Sequence, residues 1–147
     1  MNKILLFFAA IAVMGCSSKN PKDNPVLVEA NEVHMQAEAI QEQVEPEIDK
    51  LDSLSNLLLA KKTLKADSLA RELTTLKADF NTWEKNFFAV PGFEHTHESG
   101  HEHEHHHHNS VPDLPAEKML EVQKEIKQNI EQIKTRLESI SVAVKQL

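Results

Sequence analysis

Fifteen consecutive residues hold most of the chemistry this chain could perform. They read Glu94-His95-Thr96-His97-Glu98-Ser99-Gly100-His101-Glu102-His103-Glu104-His105-His106-His107-His108 and contain eight of the nine histidines. Imidazole is the commonest protein ligand for zinc, copper and nickel near neutral pH. His95/His97, His101/His103 and His103/His105 are His-x-His pairs, and in an extended stretch such pairs put both rings on one side. Glu94, Glu98, Glu102 and Glu104 can ligate directly or hydrogen-bond a ligating imidazole. Ser99 and Gly100 let the chain fold back between the two halves. Eight similar ligands allow many overlapping arrangements, whereas structural zinc sites use fixed positions held by a second shell. The expectation is therefore about one to three ions of zinc or copper(II), with nickel a further candidate, exchanging among these ligands and none tightly bound. The metal ligands would be His95, His97, His101, His103, His105, His106, His107 and His108.

Other chemistries find little support. The chain has no Gly-rich phosphate loop and no HExxH helix, and His101-Glu102-His103 has the wrong spacing for one. A soft loop would hold a catalytic zinc badly, so no enzyme activity is expected. The formal net charge of −7 argues against nucleic acid as a partner and against wide contact with anionic lipid.

The ends set the context. Met1-Asn2-Lys3 is a short basic start, and Ile4 to Met14 is an apolar run too short for a lasting membrane span. It leads through Val13-Met14-Gly15 to Cys16, the only cysteine. A small residue before a cysteine that follows an apolar core resembles a bacterial lipoprotein signal. That resemblance implies cleavage before Cys16 and acylation of its thiol and its freed amine, which would give a durable membrane anchor. Ser17 follows the cysteine, where aspartate would favour inner-membrane retention. By the same resemblance the expected location is the cell envelope, on the outer rather than the inner membrane. The competing reading is a secretory leader with an incidental cysteine. A lipidated Cys16 would leave no thiol for a disulfide or a metal.

Residues 1–15 thus read as the leader, 16–24 as the lipidated cysteine and a polar tether, and 25–147 as a helical domain with a histidine-rich loop at 91–112. Asn24-Pro25 is a good helix start. Val26, Ala30, Val33, Ala37, Ile40 and Val44 then form an apolar stripe, which Pro46 interrupts before Ile48, Leu51, Leu54 and Leu58 resume it. A second stripe runs through Leu69, Leu73, Leu76, Phe80, Trp83 and Phe87, and Val90-Pro91-Gly92 ends it. The two stripes do not coincide, which predicts a turn near Ala60 to Leu64, with Thr63 able to cap the next helix. No Gly or Pro marks that turn, so one unbroken helix from about Glu47 to Phe88 competes with it.

The last helix begins at Asp113 or Leu114 with Pro115 in its first turn. Its stripe is Met119, Val122, Ile126, Ile130, Ile133, Leu137, Ile140, Val144 and Leu147. Nothing reads as a strand. The predicted fold is all-α, an antiparallel, coiled-coil-like three-helix bundle with the histidine loop between helices two and three. In such an up-down-up bundle the loop returns to the end where helix one begins. Phe80, Trp83, Phe87 and Phe88 read as core and loop-anchoring residues, His34 as a solvated or cap-region residue, and the Glu and Lys runs as solvated faces with i,i+4 pairs.

Cys16 after a short leader, the Val44-Glu45-Pro46-Glu47-Ile48 step, and Trp83 with Phe87 at a helix end together resemble a group of small Gram-negative lipoproteins. These often carry the automatic label "viral A-type inclusion protein"; the label implies no viral function, and no activity is established for the group. The resemblance covers most of the chain after Cys16 and implies an all-helical lipoprotein. The leading functional expectation is a membrane-anchored protein that buffers or delivers zinc or copper. The alternative is a structural or interaction protein whose apolar stripes bind a helix partner or a second copy, its loop an incidental spacer or pH-responsive element.

Overall fold

The computed structural model describes residues 20–93 and 112–147. After a short 3-10 turn at Pro21–Asp23 come four helices: α1 (Pro25–Ile48), α2 (Leu51–Ala60), α3 (Leu64–Asn86) and α4 (Ala116–Lys145). No strand occurs among the described residues. α1 and α2 form one arm, α3 returns antiparallel to it, and α4 runs parallel to α1. The directions follow from the cross-helix bonds. Lys124 on α4 reaches Glu29 on α1 at 2.9 Å, and Lys134 reaches Gln43 at 2.8 Å. Ser55 of α2 bonds the Ala70 carbonyl of α3, and Lys77 pairs with Asp52. Arg136 on α4 pairs with Asp79 on α3 at 2.5 Å. These cross-helix ion pairs are exposed and contribute at most about 1 kcal/mol each, so they report register rather than hold the bundle together.

Local chemistry accounts for the helix ends. The Asn24 side chain accepts from the Val26 N–H at 3.0 Å, and Pro25 fills the first helical position where no partner for an N–H is needed. α1 passes through Pro46 and ends at Ile48, four residues beyond Val44, the last position of the first stripe. Pro46 has no N–H to give the Glu42 carbonyl. The Asp49 N–H still bonds Glu45, and the Lys50 N–H then makes a shorter-range bond to Glu47 at 3.2 Å. After this step α1 packs chiefly on α4 whereas α2 packs on α3.

The predicted turn is present at Lys61–Thr63. Lys62 has φ of +53°, and the Thr63 hydroxyl caps α3 by accepting from the Ala66 N–H at 3.2 Å. The last helix starts later than expected. Pro115 is its N-cap rather than part of its first turn, and the Met119 N–H bonds the Pro115 carbonyl at 2.9 Å. Leu114 precedes a proline and is pushed out of the helical region, which keeps the helix from starting before Pro115.

Two apolar clusters form the core. The larger runs along the bundle through Val44, Ile48, Leu58, Leu73, Leu76, Phe80, Ile130 and Ile140. The smaller joins Ala30, Val90 and Met119 and is packed by Leu27, Phe88, Phe93 and Leu114.

The reversal at Lys62 is testable because the two candidate topologies respond oppositely to glycine. In the left-handed region a non-glycine residue is strained. Lys62→Gly is expected to stabilise the protein by about 0.5–1 kcal/mol in urea unfolding. In one unbroken helix the same change would cost roughly 1 kcal/mol.

Candidate functional site

The buried seam of α1 is Ala30, His34, Ala37, Gln41, Val44 and Ile48, at alternating steps of four and three. The sequence stripe through Val33 and Ile40 is therefore one position off, since these two are only half-buried flankers. His34 was expected near solvent, but only 5% of it is exposed. α4 shows the same displacement: Gln123 is fully buried while its neighbour Val122 is half-buried. Apolar pattern reading passes over a polar seam residue by construction. The signal that could have found both is strict heptad spacing from Ala30 to Ile48 and from Met119 to Ile133.

His34 and Gln123 face each other across the bundle. His34 Nδ1 lies 3.3 Å from Gln123 Oε1, and Gln123 Nε2 donates to the Phe88 carbonyl at 2.9 Å. The same Nε2 is 3.8 Å from the Met119 sulfur. With Oε1 as acceptor, the geometry calls for a proton on His34 Nδ1. The imidazole also stacks on the Phe87 ring, with centroids 4.5 Å apart and planes 13° from parallel. Phe87 stacks in turn on Trp83 at 4.7 Å, and Trp83 lies 5.9 Å from Phe80. Trp83 Nε1 donates to the Ile126 carbonyl at 2.9 Å, which satisfies its one donor. These rings join α1, α3 and α4 at one level.

The stack holds the segment that leads into the histidine tract. α3 ends at Asn86, four residues before the expected Val90, and Phe87 is extended. The chain then folds inward so that Ala89 and Val90 are buried. The Phe93 N–H bonds the Val90 carbonyl at 3.0 Å, and Gly92 has φ of +81°. This is the geometry of a type II turn, with Pro91 and Gly92 in its two central positions. A side chain at Gly92 would also collide with the Pro21 ring, since a Cβ there would sit 2.7 Å from Pro21 Cβ. The Lys22 ammonium stands 5.9 Å from the centre of the Phe93 ring. Part of the polar tether expected at 16–24 is thus a 3-10 turn packed against the loop's first root. The second root, at Leu114, packs against the same smaller apolar cluster as Phe93. Both roots of the tract and the start of α1 share one end of the bundle.

Lys118, on the first turn of α4, donates to Glu121 at 2.7 Å. That hydrogen bond and the charge of Glu121 raise its pKa above the ordinary 10.5, so Lys118 stays an ammonium and is no metal ligand.

His95, His97, His101, His103, His105, His106, His107, His108 and Cys16 all lie outside the described residues. Among the described residues no group of three or more His, Cys, Asp or Glu side chains converges as a metal site. No helix among them is long and apolar enough to cross a membrane. No protein-family model, curated protein or solved structure matches the chain.

Removing His34 tests the clamp. His34→Ala should cost about 2–4 kcal/mol, from the lost stack, the cavity and a stranded Gln123 oxygen. It should also shift Trp83 emission, because Trp83 is one ring removed. His34→Phe should keep the stack but strand Gln123, and should cost about 1–3 kcal/mol. Urea unfolding followed by tryptophan fluorescence reads both.

Proposed function

We propose that this chain is a lipid-anchored helical protein of the cell envelope. It binds zinc or copper(II) exchangeably through the eight histidines between His95 and His108, and it buffers or delivers the metal beside the membrane. The observation that carries the reading is the tract itself, in which eight imidazoles and four carboxylates fall within fifteen residues. A packed core has no use for such a run, and its ligand types suit these ions.

The fold supplies two supporting arguments. Phe93 and Leu114 both pack against one small cluster, so the chain between them begins and ends at the same end of the bundle. Closure of that segment is already built into the bundle, which keeps its ligands at high local concentration. The 3-10 turn, only a few residues after Cys16, packs on the same end. An acylated Cys16 would thus hold the histidines close to the bilayer to which it is fixed. No catalytic role is assigned, and the helices act as scaffold.

Calorimetric titration of zinc and copper(II) into protein beginning at Ser17 tests the reading. Micromolar or tighter binding is expected, and it should disappear when the eight histidines are changed to serine. Affinity should fall below about pH 6, as protons compete with metal for imidazole, whose unperturbed pKa is about 6.5. The ligands are contiguous in sequence and survive unfolding, so zinc should raise the melting temperature little. Millimolar affinity, or equal affinity in the serine variant, would reduce the tract to a spacer.

A further inference from the structure

The opposite end of the bundle has a different character. Among the described residues six large apolar side chains stand exposed, and five of them lie at the end marked by the Lys61–Thr63 turn: Leu57, Leu59, Leu64, Val142 and Leu147. Leu64 is 90% exposed and Leu57 67%. Leaving leucines so open at a reversal has no use in packing. The same end collects basic groups. Residues 56–71 carry Lys61, Lys62, Lys65 and Arg71 against Asp67 alone, in a chain whose formal net charge is −7. Nearby are Lys145 at the end of α4, and the carboxylates of Glu72 and Glu138.

These bases differ from those on the shaft. Lys50 is held by Glu47, Lys124 by Glu29 and Arg136 by Asp79. Lys61, Lys62, Lys65, Arg71 and Lys145 have no carboxylate or amide partner among the described residues. A groove of about 680 Å³ opens between α2 and the last turns of α4, with Leu54, Leu57, Leu137 and Val142 in its lining. It forms where the step after Pro46 carries α2 away from α4.

Projecting leucines surrounded by unpartnered lysines are the arrangement that settles into a bilayer interface. The apolar chains enter the acyl boundary while the ammonium groups remain among anionic headgroups. We infer that the Lys61–Thr63 end of the bundle is a docking surface for an anionic phospholipid membrane, with Leu59 and Leu64 inserting and Lys61, Lys62 and Lys65 holding the headgroups. The overall acidic charge does not oppose this, because screening confines each surface field to about 10 Å, much less than the length of α3. The inference rests on the fold alone and is independent of the histidine tract and of Cys16.

Flotation of protein beginning at Ser17 with vesicles tests it, at neutral pH or above, where an unperturbed imidazole is mostly neutral. One set of vesicles is phosphatidylcholine mixed with phosphatidylglycerol, and the other is phosphatidylcholine alone. The wild type should float with the mixed vesicles only, and less so as salt rises. Lys61→Glu with Lys62→Glu and Lys65→Glu should weaken binding roughly a hundred-fold, at about one factor of five for each lysine. Leu59→Ser with Leu64→Ser should weaken it at unchanged charge, and both side chains are open enough to be replaced without loss of fold, which circular dichroism verifies. Failure of the wild type to float overturns the inference, as does full binding by both variants. A wild-type dimer that the leucine variant converts to monomer, with no vesicle binding, would assign the surface to a second copy instead.

Discussion

Reversal of the chain at Lys61–Thr63 is the constraint on which the rest of the molecule depends. Lys62 adopts a left-handed backbone that costs a side chain of its type on the order of 1 kcal/mol. Thr63 offsets part of this by capping α3. The larger return is geometric. The turn lays Ala66, Leu69 and Leu73 beside Leu58 and Leu51, and it lets α4 close the seam against both arms. Without it, α2 and α3 would form one rod whose stripes face different directions. With it, the root of the histidine tract returns to the start of α1.

The two ends of the bundle then acquire separate characters from one topology. At one end the His34–Gln123–Phe88 chain of hydrogen bonds and the stack of His34, Phe87 and Trp83 fasten the entry to the tract. A polar layer inside an apolar seam is a device for fixing register, because sliding by one heptad would bury His34 or Gln123 without its partner. Among the described residues the other end shows no such layer and leaves its leucines open. The proposed metal-binding segment is rooted at one pole and the proposed headgroup surface lies at the other, separated by about the 35 Å length of a 23-residue helix.

Much of this architecture is legible in the sequence, and the failures are instructive. The stripe from Leu69 to Trp83 lies in the core as expected, as do Ile126, Ile130, Ile133 and Ile140. The turn shows in the sequence as a misalignment of two stripes, although neither Gly nor Pro marks it. His34 and Gln123 are invisible to apolar periodicity, which has no means of choosing a polar residue when Val33 and Val122 stand beside them. The early end of α3 was missed because Phe87 continues the helical spacing; its ring does join the stack, but from extended backbone. Pro91 and Gly92 look like a helix stop in sequence, but they form a turn after Ala89 and Val90 have already entered the core. The eight tract histidines were conspicuous from composition alone, yet composition does not say how they are arranged around an ion.

The most direct test of this account is a distance. Spin labels at residues 22 and 93, on a chain with Cys16→Ser, can be measured by pulsed electron resonance. The bundle requires them to lie within roughly 20 Å, since Lys22 sits over the Phe93 ring and label linkers add several ångströms. A rod without the Lys61–Thr63 reversal would separate them by about 100 Å at 1.5 Å per residue. A short distance would keep the tract beside the N-terminal tether, as the account predicts. A separation beyond about 50 Å, half of that rod length, would contradict the topology and, with it, the assignment of distinct roles to the two poles.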